Sequence, residues 1–224
     1  MPVDVQAEPR SRSLQDVLDG LGGVAPSRIL ASPPPGTATE RDAIRVNERA
    51  RTLCELADGS LVSKPMGFRE ALIALTLGSI IRRFVRERRL GIVTGADGAF
   101  RLAPGVVRMP DVAFTSWAHV PGRRVPTEKV VDFPPDLAIE VLSASNTPEE
   151  MARKRREYFD AGARSVWIVD AEARAVAVYD RRDPESARLY RESDVIEMTE
   201  ILPGFKLPLE DVFGELDEQA PETP

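Results

Sequence analysis

The sequence has little of what many metal-binding and secreted proteins depend on, since its 224 residues include one cysteine, Cys54, and one histidine, His119. A lone cysteine excludes a disulfide within the chain. One cysteine and one histidine also cannot supply the thiolates and imidazoles of a zinc or iron–sulfur site. Any metal must therefore be a hard cation held by oxygen atoms.

Long hydrophobic runs are also missing. No apolar run approaches the roughly 18 residues that span a bilayer, and the N-terminus lacks the basic and then apolar order of a secretion signal. The sequence therefore predicts a cytoplasmic protein with no membrane partner. Its composition, 42% hydrophobic and 29% charged, is sufficient for a folded core.

Acidic residues outnumber basic ones over the whole chain, 36 to 30, and the net charge is −6. The imbalance is local, since residues 192–224 carry ten acidic side chains and only Lys206 as a basic one. The rest has 29 basic and 26 acidic residues. The acidic total therefore does not exclude a nucleic acid as partner.

Composition divides the chain into three segments. Residues 1–38 hold six of the nineteen prolines and are expected to form a proline-rich leader with one short helix near residues 14–21. Residues 39–213 are expected to form an α/β domain. Residues 214–224 are expected to be an acidic C-terminal tail.

Residue spacing predicts a mixed central β-sheet flanked by α-helices. Apolar residues recur at three- and four-residue intervals over residues 67–89, which predicts a long helix with one buried face. A strand over residues 137–142, a helix over 147–161 and a strand over 165–169 follow one another closely. That order is typical of a right-handed parallel crossover.

Three charged residues stand where the spacing predicts apolar side chains, a conflict that often marks functional sites. Glu70 begins the apolar helical stripe and either faces the core or lies in the first turn near water. Glu140 interrupts an apolar strand, so it is protonated, bound to a metal, held in a structural ion pair, or placed at the edge of the sheet. Lys154 lies on a helical face that could return to Glu140, or it extends to water.

Asp111 follows Pro110 at the start of an extended segment, and twenty-eight residues separate it from Glu140. Taken alone, an aspartate after a proline is usually a turn residue. Two carboxylates around a divalent cation, with a lysine near the attacking water or the phosphate, are the parts of metal-assisted phosphodiester hydrolysis. Asp136, in a second Pro-Asp pair, is a weaker alternative because it lies only four residues before Glu140.

Together these motifs resemble the Uma-two family of endonucleases, in the PD-(D/E)XK, restriction-endonuclease-like superfamily. The resemblance covers about residues 52–213. Its motifs are Glu55-Leu56 with Asp58-Gly59, Pro110-Asp111 with Val112-Ala113-Phe114, the run PDLAIEVLSASN at 135–146, Lys154 with Tyr158-Phe159 and Gly162, VWIVD at 166–170, and LPGF at 202–205 with LPL at 207–209.

The resemblance implies a restriction-endonuclease-like core and an enzyme that hydrolyses phosphodiester bonds in DNA with Mg²⁺, or with Mn²⁺ as the alternative. It implies catalytic and metal-binding roles for Asp111 and Glu140, and an assisting role for Glu70 at the metal. The superfamily signature places a lysine two residues after the glutamate, but Leu142 stands there. Lys154 is therefore expected to be a migrated catalytic lysine.

Basic residues around this site are expected to bind the phosphates of the nucleic acid. One site per chain would suit a homodimer for double-strand cleavage. The alternative is a catalytically inactive nucleic-acid-binding or protein-interaction module, since a fold does not establish an activity. Retention of every charged position at once favours the enzyme. The expected phosphate-binding residues are Arg82, Arg83, Arg86, Arg153 and Arg156.

Overall fold

The computed structural model describes residues 13–49, 53–65 and 67–219. Within these ranges it has five α-helices, thirteen strands and three short 3₁₀ turns at Pro26–Arg28, Pro121–Arg123 and Gly214–Asp217. The helices are α1 (Leu14–Gly20), α2 (Glu40–Arg49), α3 (Phe68–Arg88), α4 (Pro148–Ala161) and α5 (Glu210–Phe213). The strands are β1 (Cys54–Ala57), β2 (Ser60–Ser63), β3 (Gly91–Gly95), β4 (Ala99–Ala103), β5 (Val106–Arg108), β6 (Val112–Ser116), β7 (Val130–Val131), β8 (Leu137–Val141), β9 (Ser165–Asp170), β10 (Ala175–Asp180), β11 (Asp183–Arg191), β12 (Val195–Met198) and β13 (Phe205–Pro208).

The central sheet has six strands in the order β11-β10-β9-β8-β6-β3. Strands β8 and β9 pair in parallel, with Glu140 opposite Ile168, while the neighbouring pairs run antiparallel. Helix α4 connects β8 to β9, as the predicted crossover requires. The structure therefore confirms the mixed sheet flanked by helices.

The two faces of strand β8 meet different helices. Leu137 and Ile139 pack in the main core with Ile73 and Leu77 of α3. Ala138 packs instead with residues of α4. Because successive strand side chains point to opposite faces, Glu140 shares the α4 side with Ala138.

Capping residues mark the ends of the two predicted long helices. The Thr147 side chain accepts a hydrogen bond from the Glu150 N–H and begins α4, and Pro148 occupies its first turn. Gly162 ends α4 at φ 118°, a conformation that disfavours side chains larger than hydrogen. Helix α3 ends at Arg89 in the left-handed conformation.

A second sheet, in the order β2-β1-β5-β4-β7, lies beside α4. Its first hairpin turns at Asp58 and Gly59, both with positive φ, as the Asp-Gly pair predicts. A side chain at Gly59 would collide with the backbone of Gly36, so the close approach requires glycine. This sheet brings Glu55 and Arg108 toward α4.

Residues on both sides of the segment 39–213 contact that segment. Val17 of α1 and Leu21, the residue that follows this helix, are buried, and Arg28 donates two hydrogen bonds to Glu150 of α4. At the other end, Thr76 of α3 donates to Glu215 in the last turn. Residues 1–12 of the expected leader and 220–224 of the expected tail lie outside the described residues. No helix within the described ranges is long and apolar enough to cross a bilayer.

Candidate active site

Glu140 lies at the centre of the sheet and is only 3% exposed. The Tyr158 hydroxyl donates to its Oε1 at 2.7 Å, and the Lys154 ammonium donates to its Oε2 at 3.2 Å. Lys154 and Tyr158 are four residues apart, so they share one face of α4. The predicted contact between Glu140 and Lys154 is present.

A second buried carboxylate, Glu55 of β1, completes this group and was not among the predicted site residues. Its Oε2 lies 3.0 Å from Lys154 Nζ and accepts a hydrogen bond from Arg108 at 2.9 Å. Its Oε1 accepts from the Met109 N–H. The available sequence signal was the same as at Glu140, a carboxylate within a short apolar strand.

The ionisation of this buried cluster follows from its contacts. Burial alone would raise the pKa of Glu55, but Lys154, Arg108 and Lys64 together hold that pKa well below its ordinary range. Burial would lower the pKa of Lys154, but the carboxylates of Glu140 and Glu55 hold it above its ordinary value. Glu55 is therefore ionised and Lys154 is charged at neutral pH.

Glu140 differs from Glu55 in its electrostatic balance. Burial raises the pKa of Glu140, and the negative charges of Glu55 and Asp111 act in the same direction against the nearby ammonium groups. Burial and the adjacent Glu140 also raise the pKa of Tyr158 well above its usual value, so this hydroxyl remains a donor. A further positive charge near Glu140 would therefore favour its ionised form.

Asp111 precedes β6 and lies next to Glu140. Its Oδ2 accepts a hydrogen bond from the Val141 N–H at 2.8 Å, and its Oδ1 accepts from Lys64 Nζ at 2.8 Å. Lys64 also donates to the Met109 carbonyl. Because the Val141 N–H belongs to the peptide that follows Glu140, Asp111 and Glu140 lie at the same end of β6 and β8.

Asp136, the alternative aspartate, lies at the opposite end of the same strand pair. Strands β6 and β8 are antiparallel, with Phe114 opposite Leu137. The fully buried Asp136 accepts a hydrogen bond from the Ser116 N–H, and its Oδ1 lies 3.0 Å from His119 Nδ1. The structure therefore brings Asp111 to Glu140 and keeps Asp136 away from it.

Glu70 lies in the first turn of α3, and its carboxylate folds back over Gly67, where an added Cβ would collide with it. This is the first-turn arrangement considered from the sequence. Glu70 lines the same cavity as Asp111, but α3 and α4 cover opposite faces of the sheet. The structure therefore does not bring the carboxylates of Glu70 and Glu140 to one face.

A cavity of about 880 Å³ lies between α3, β3 and the end of β6. Asp111 and Val141 reach its wall from the β6 and β8 end, while Glu140 and Lys154 are buried. Its charged lining comprises Lys64, Glu70, Arg82, Arg83, Arg86, Glu87 and Asp111.

The remaining predicted phosphate ligands lie on α4, away from this lining. Arg153 forms ion pairs with Asp58 and Glu157 and donates to the Gly20 carbonyl. Arg156 is exposed on the outer face of the helix. The five predicted arginines therefore do not form one surface in this structure.

Carboxylate oxygens that can bind a hard cation are present, but few of them lie close together. Within residues 13–49, 53–65 and 67–219, no group of three or more histidine, cysteine, aspartate or glutamate side chains is placed to hold a metal ion. Mg²⁺, however, is commonly bound through one or two carboxylates, with water and substrate phosphate completing its coordination. Asp111 and Glu140 supply two carboxylates of this kind, and a cation would offset the burial and neighbouring negative charges that raise the pKa of Glu140.

Comparisons with known proteins agree with this architecture. Residues 41–210 match the model of the Uma2 (Uma-two) family, described as "Putative restriction endonuclease". The structure is also similar to the crystal structure of a "putative nuclease belonging to DUF820" from Anabaena variabilis, with a TM-score of 0.64 and 18% sequence identity. That match covers 75% of this chain and 93% of the other, and at this identity it shows the fold alone. No curated protein matches the chain.

Proposed function

Because the chain belongs to the Uma2 family and has a restriction-endonuclease-like fold, we propose that it is a metal-dependent endonuclease that hydrolyses phosphodiester bonds in DNA. The observation that carries this proposal is the placement of Asp111 and Glu140 at the same end of β6 and β8, where Asp111 borders a cavity with three arginines. Neighbouring ammonium groups of Lys64 and Lys154 complete the charge pattern.

Asp111 and Glu140 would hold the cation, with Mg²⁺ as the first choice and Mn²⁺ as the alternative. Such a cation supplies Lewis-acid polarisation of the phosphate and lowers the pKa of a bound water. The chain contributes the orientation of both ligands, because Val141 fixes Asp111 and Tyr158 fixes Glu140. Glu70, on the other face of the sheet, would act only through water at the cavity wall.

The two lysines support different roles within this proposal. Lys154 is 2% exposed and lies between Glu55 and Glu140, which favours positioning of Glu140 over contact with substrate. Lys64 lines the cavity beside Asp111. Its ammonium has three N–H donors and uses two of them, for Asp111 and for the Met109 carbonyl, which leaves one for a ligand. The cavity arginines would bind flanking phosphates.

One observation favours the inactive nucleic-acid-binding module as a second candidate. The ammonium groups of Lys64 and Lys154 already form ion pairs with Asp111 and Glu140, without a metal. A chain that binds DNA through Arg82, Arg83 and Arg86 without hydrolysing it would have the same contacts.

Cleavage of supercoiled plasmid with Mg²⁺, Mn²⁺ or a chelator tests the proposal. We expect metal-dependent cleavage that is abolished in Asp111→Asn and in Glu140→Gln, because each change removes a ligand charge and preserves shape. Asp136→Asn is the matched control, assayed below its melting temperature, and should retain cleavage because Asp136 lies at the opposite strand end. DNA binding without cleavage by the folded wild-type protein would establish the inactive module instead.

A further inference from the structure

The cavity beside Asp111 has a chemical character that phosphate binding alone does not explain. One wall is formed by small apolar residues of α3, including Ala71, Ala74 and Gly78, and the facing wall includes Val93 and Val112. Phosphate groups and hydrated cations gain nothing from such walls. The volume of about 880 Å³ lies in the range of sites that enclose organic ligands.

Charged groups lie toward the two ends of this apolar surface. The three arginines and Glu87 line the end near the C-terminus of α3, and Lys64, Glu70 and Asp111 line the other. Ala71 and Arg82 are eleven residues apart on the helix, which corresponds to about 16 Å. A ligand that follows this path needs anionic groups for the arginines and a flat apolar part for the wall between them.

We infer that the cavity receives an unpaired nucleotide segment, with bases against the α3 wall, flanking phosphates on the arginines and the scissile phosphate at Asp111. This inference rests on the proposed nuclease function and specifies its substrate class as single-stranded or locally unpaired nucleic acid. A regular duplex keeps its base faces stacked inside, so it can offer phosphates to the arginines but no base face to the apolar wall.

Binding measured without metal separates this inference from catalysis. Fluorescence anisotropy of the full chain in chelator would compare three probes of equal length: a single-stranded DNA, the same strand with abasic linkers at every position, and a duplex. We expect the single strand to bind at least about tenfold more tightly than either other probe, which corresponds to about 1.4 kcal/mol.

Ala71→Trp fills the cavity from an exposed helix position and is the decisive variant. It should remove the advantage of the single strand over the abasic strand. Ala173→Trp, at an exposed turn outside the cavity lining, is the matched control and should preserve that advantage. Arg82→Gln with Arg86→Gln should weaken all three probes and reduce the salt dependence of binding.

Equal affinity for the single-stranded and abasic probes, or an Ala71→Trp variant that still prefers the base-containing strand, would overturn the inference. If the wild-type chain sediments as a dimer and Ala71→Trp makes it a monomer without changing DNA binding, the cavity is an interface with a second copy of the chain. That result would also overturn the inference. The proposed nuclease function fails separately, if wild-type protein cuts no DNA or if Asp111→Asn leaves cleavage unchanged.

Discussion

At the scale of single residues, Lys154 holds two buried carboxylates with one ammonium group. Lys154→Met keeps the length of the side chain and leaves Glu55 and Glu140 without that cation. We expect a loss of about 3–5 kcal/mol in the free energy of unfolding, the usual cost of removing one partner from a buried ion pair. Urea denaturation measures it. Lys206→Met, in the exposed pair with Glu197, is the control and should cost about 1 kcal/mol or less.

Lys64 offers the complementary prediction on rate. Lys64→Met should lower single-turnover cleavage at saturating DNA by about a hundredfold, the scale of losing one electrostatic contact to the reacting group. Lys64→Arg should restore part of the rate, because it retains the charge beside Asp111. A larger loss of rate in Lys154→Met than in Lys64→Met, compared at temperatures where both are folded, would return the catalytic role to Lys154 as the sequence suggested.

A charge that interrupts an apolar pattern is a signal that the sequence alone can supply. Glu140 and Lys154 were identified in this way, and the structure places them in contact. Lys64 could not be identified, because it stands in a short polar stretch before Pro65 where a lysine breaks no pattern. Its proximity to Asp111 depends on a tertiary approach of residues 47 positions apart.

At the scale of elements, the periodic and capped helices and the Asp-Gly hairpin can be predicted from the sequence, and the shortest strands cannot. Helices α3 and α4 combine a repeating apolar face with recognisable ends. Strands β5 and β7 have three and two residues, too few for an alternation to show. The sequence therefore does not predict that these strands form a second sheet, or that this sheet places Glu55 beside Lys154.

The ion pair of Arg28 with Glu150 attaches the N-terminal segment to α4 and makes the free energy of unfolding depend on pH. Burial would raise the pKa of Glu150, but hydrogen bonds from Arg28, with the charge of Lys154 and the amide of Asn146, lower it below 4.5. A depressed folded-state pKa stabilises the protein above pH 4.5 and loses that effect as the pH falls through the folded-state value. Wild-type protein should therefore lose unfolding free energy below about pH 4.5.

Glu150→Gln isolates this contribution. The variant should be less stable than wild type by about 3 kcal/mol at neutral pH, because Arg28 keeps a buried charge, and the difference should narrow in acid. Urea denaturation at neutral pH and at about pH 3.5 measures both quantities. The exposed neighbour Glu149→Gln is the control. A constant difference at both pH values would contradict the assigned contact.

At the scale of the whole molecule, the acidic residues near the C-terminus lie close to a basic residue of α3, although the two are far apart in the sequence. Glu215 and Glu218 line a shallow surface pocket with Arg83, next to the cavity. Removing residues 218–224 deletes Glu218 and Glu222. DNA affinity should then increase about two- to threefold at low salt and return to the wild-type value at high salt, where charges are screened. Anisotropy titrations at two salt concentrations measure this change.

A full-length control separates charge from chain length. Glu218→Gln with Glu222→Gln should reproduce the tighter binding of the truncated chain. Unchanged affinity in this double variant, with tighter binding only after truncation, would mean that the segment acts by occupying space and not by repelling phosphate.

The buried cluster also determines when during synthesis the site can exist. Glu55 lies 53 residues before Arg108 and 99 residues before Lys154, so these two cationic partners leave the ribosome at different times. A nascent chain that ends before α4 contains Asp111 and Glu140 but lacks the ammonium that holds Glu140 in place. For a nuclease this order delays competence until most of the polypeptide has been made, and incomplete translation products would leave the cell's nucleic acids uncut.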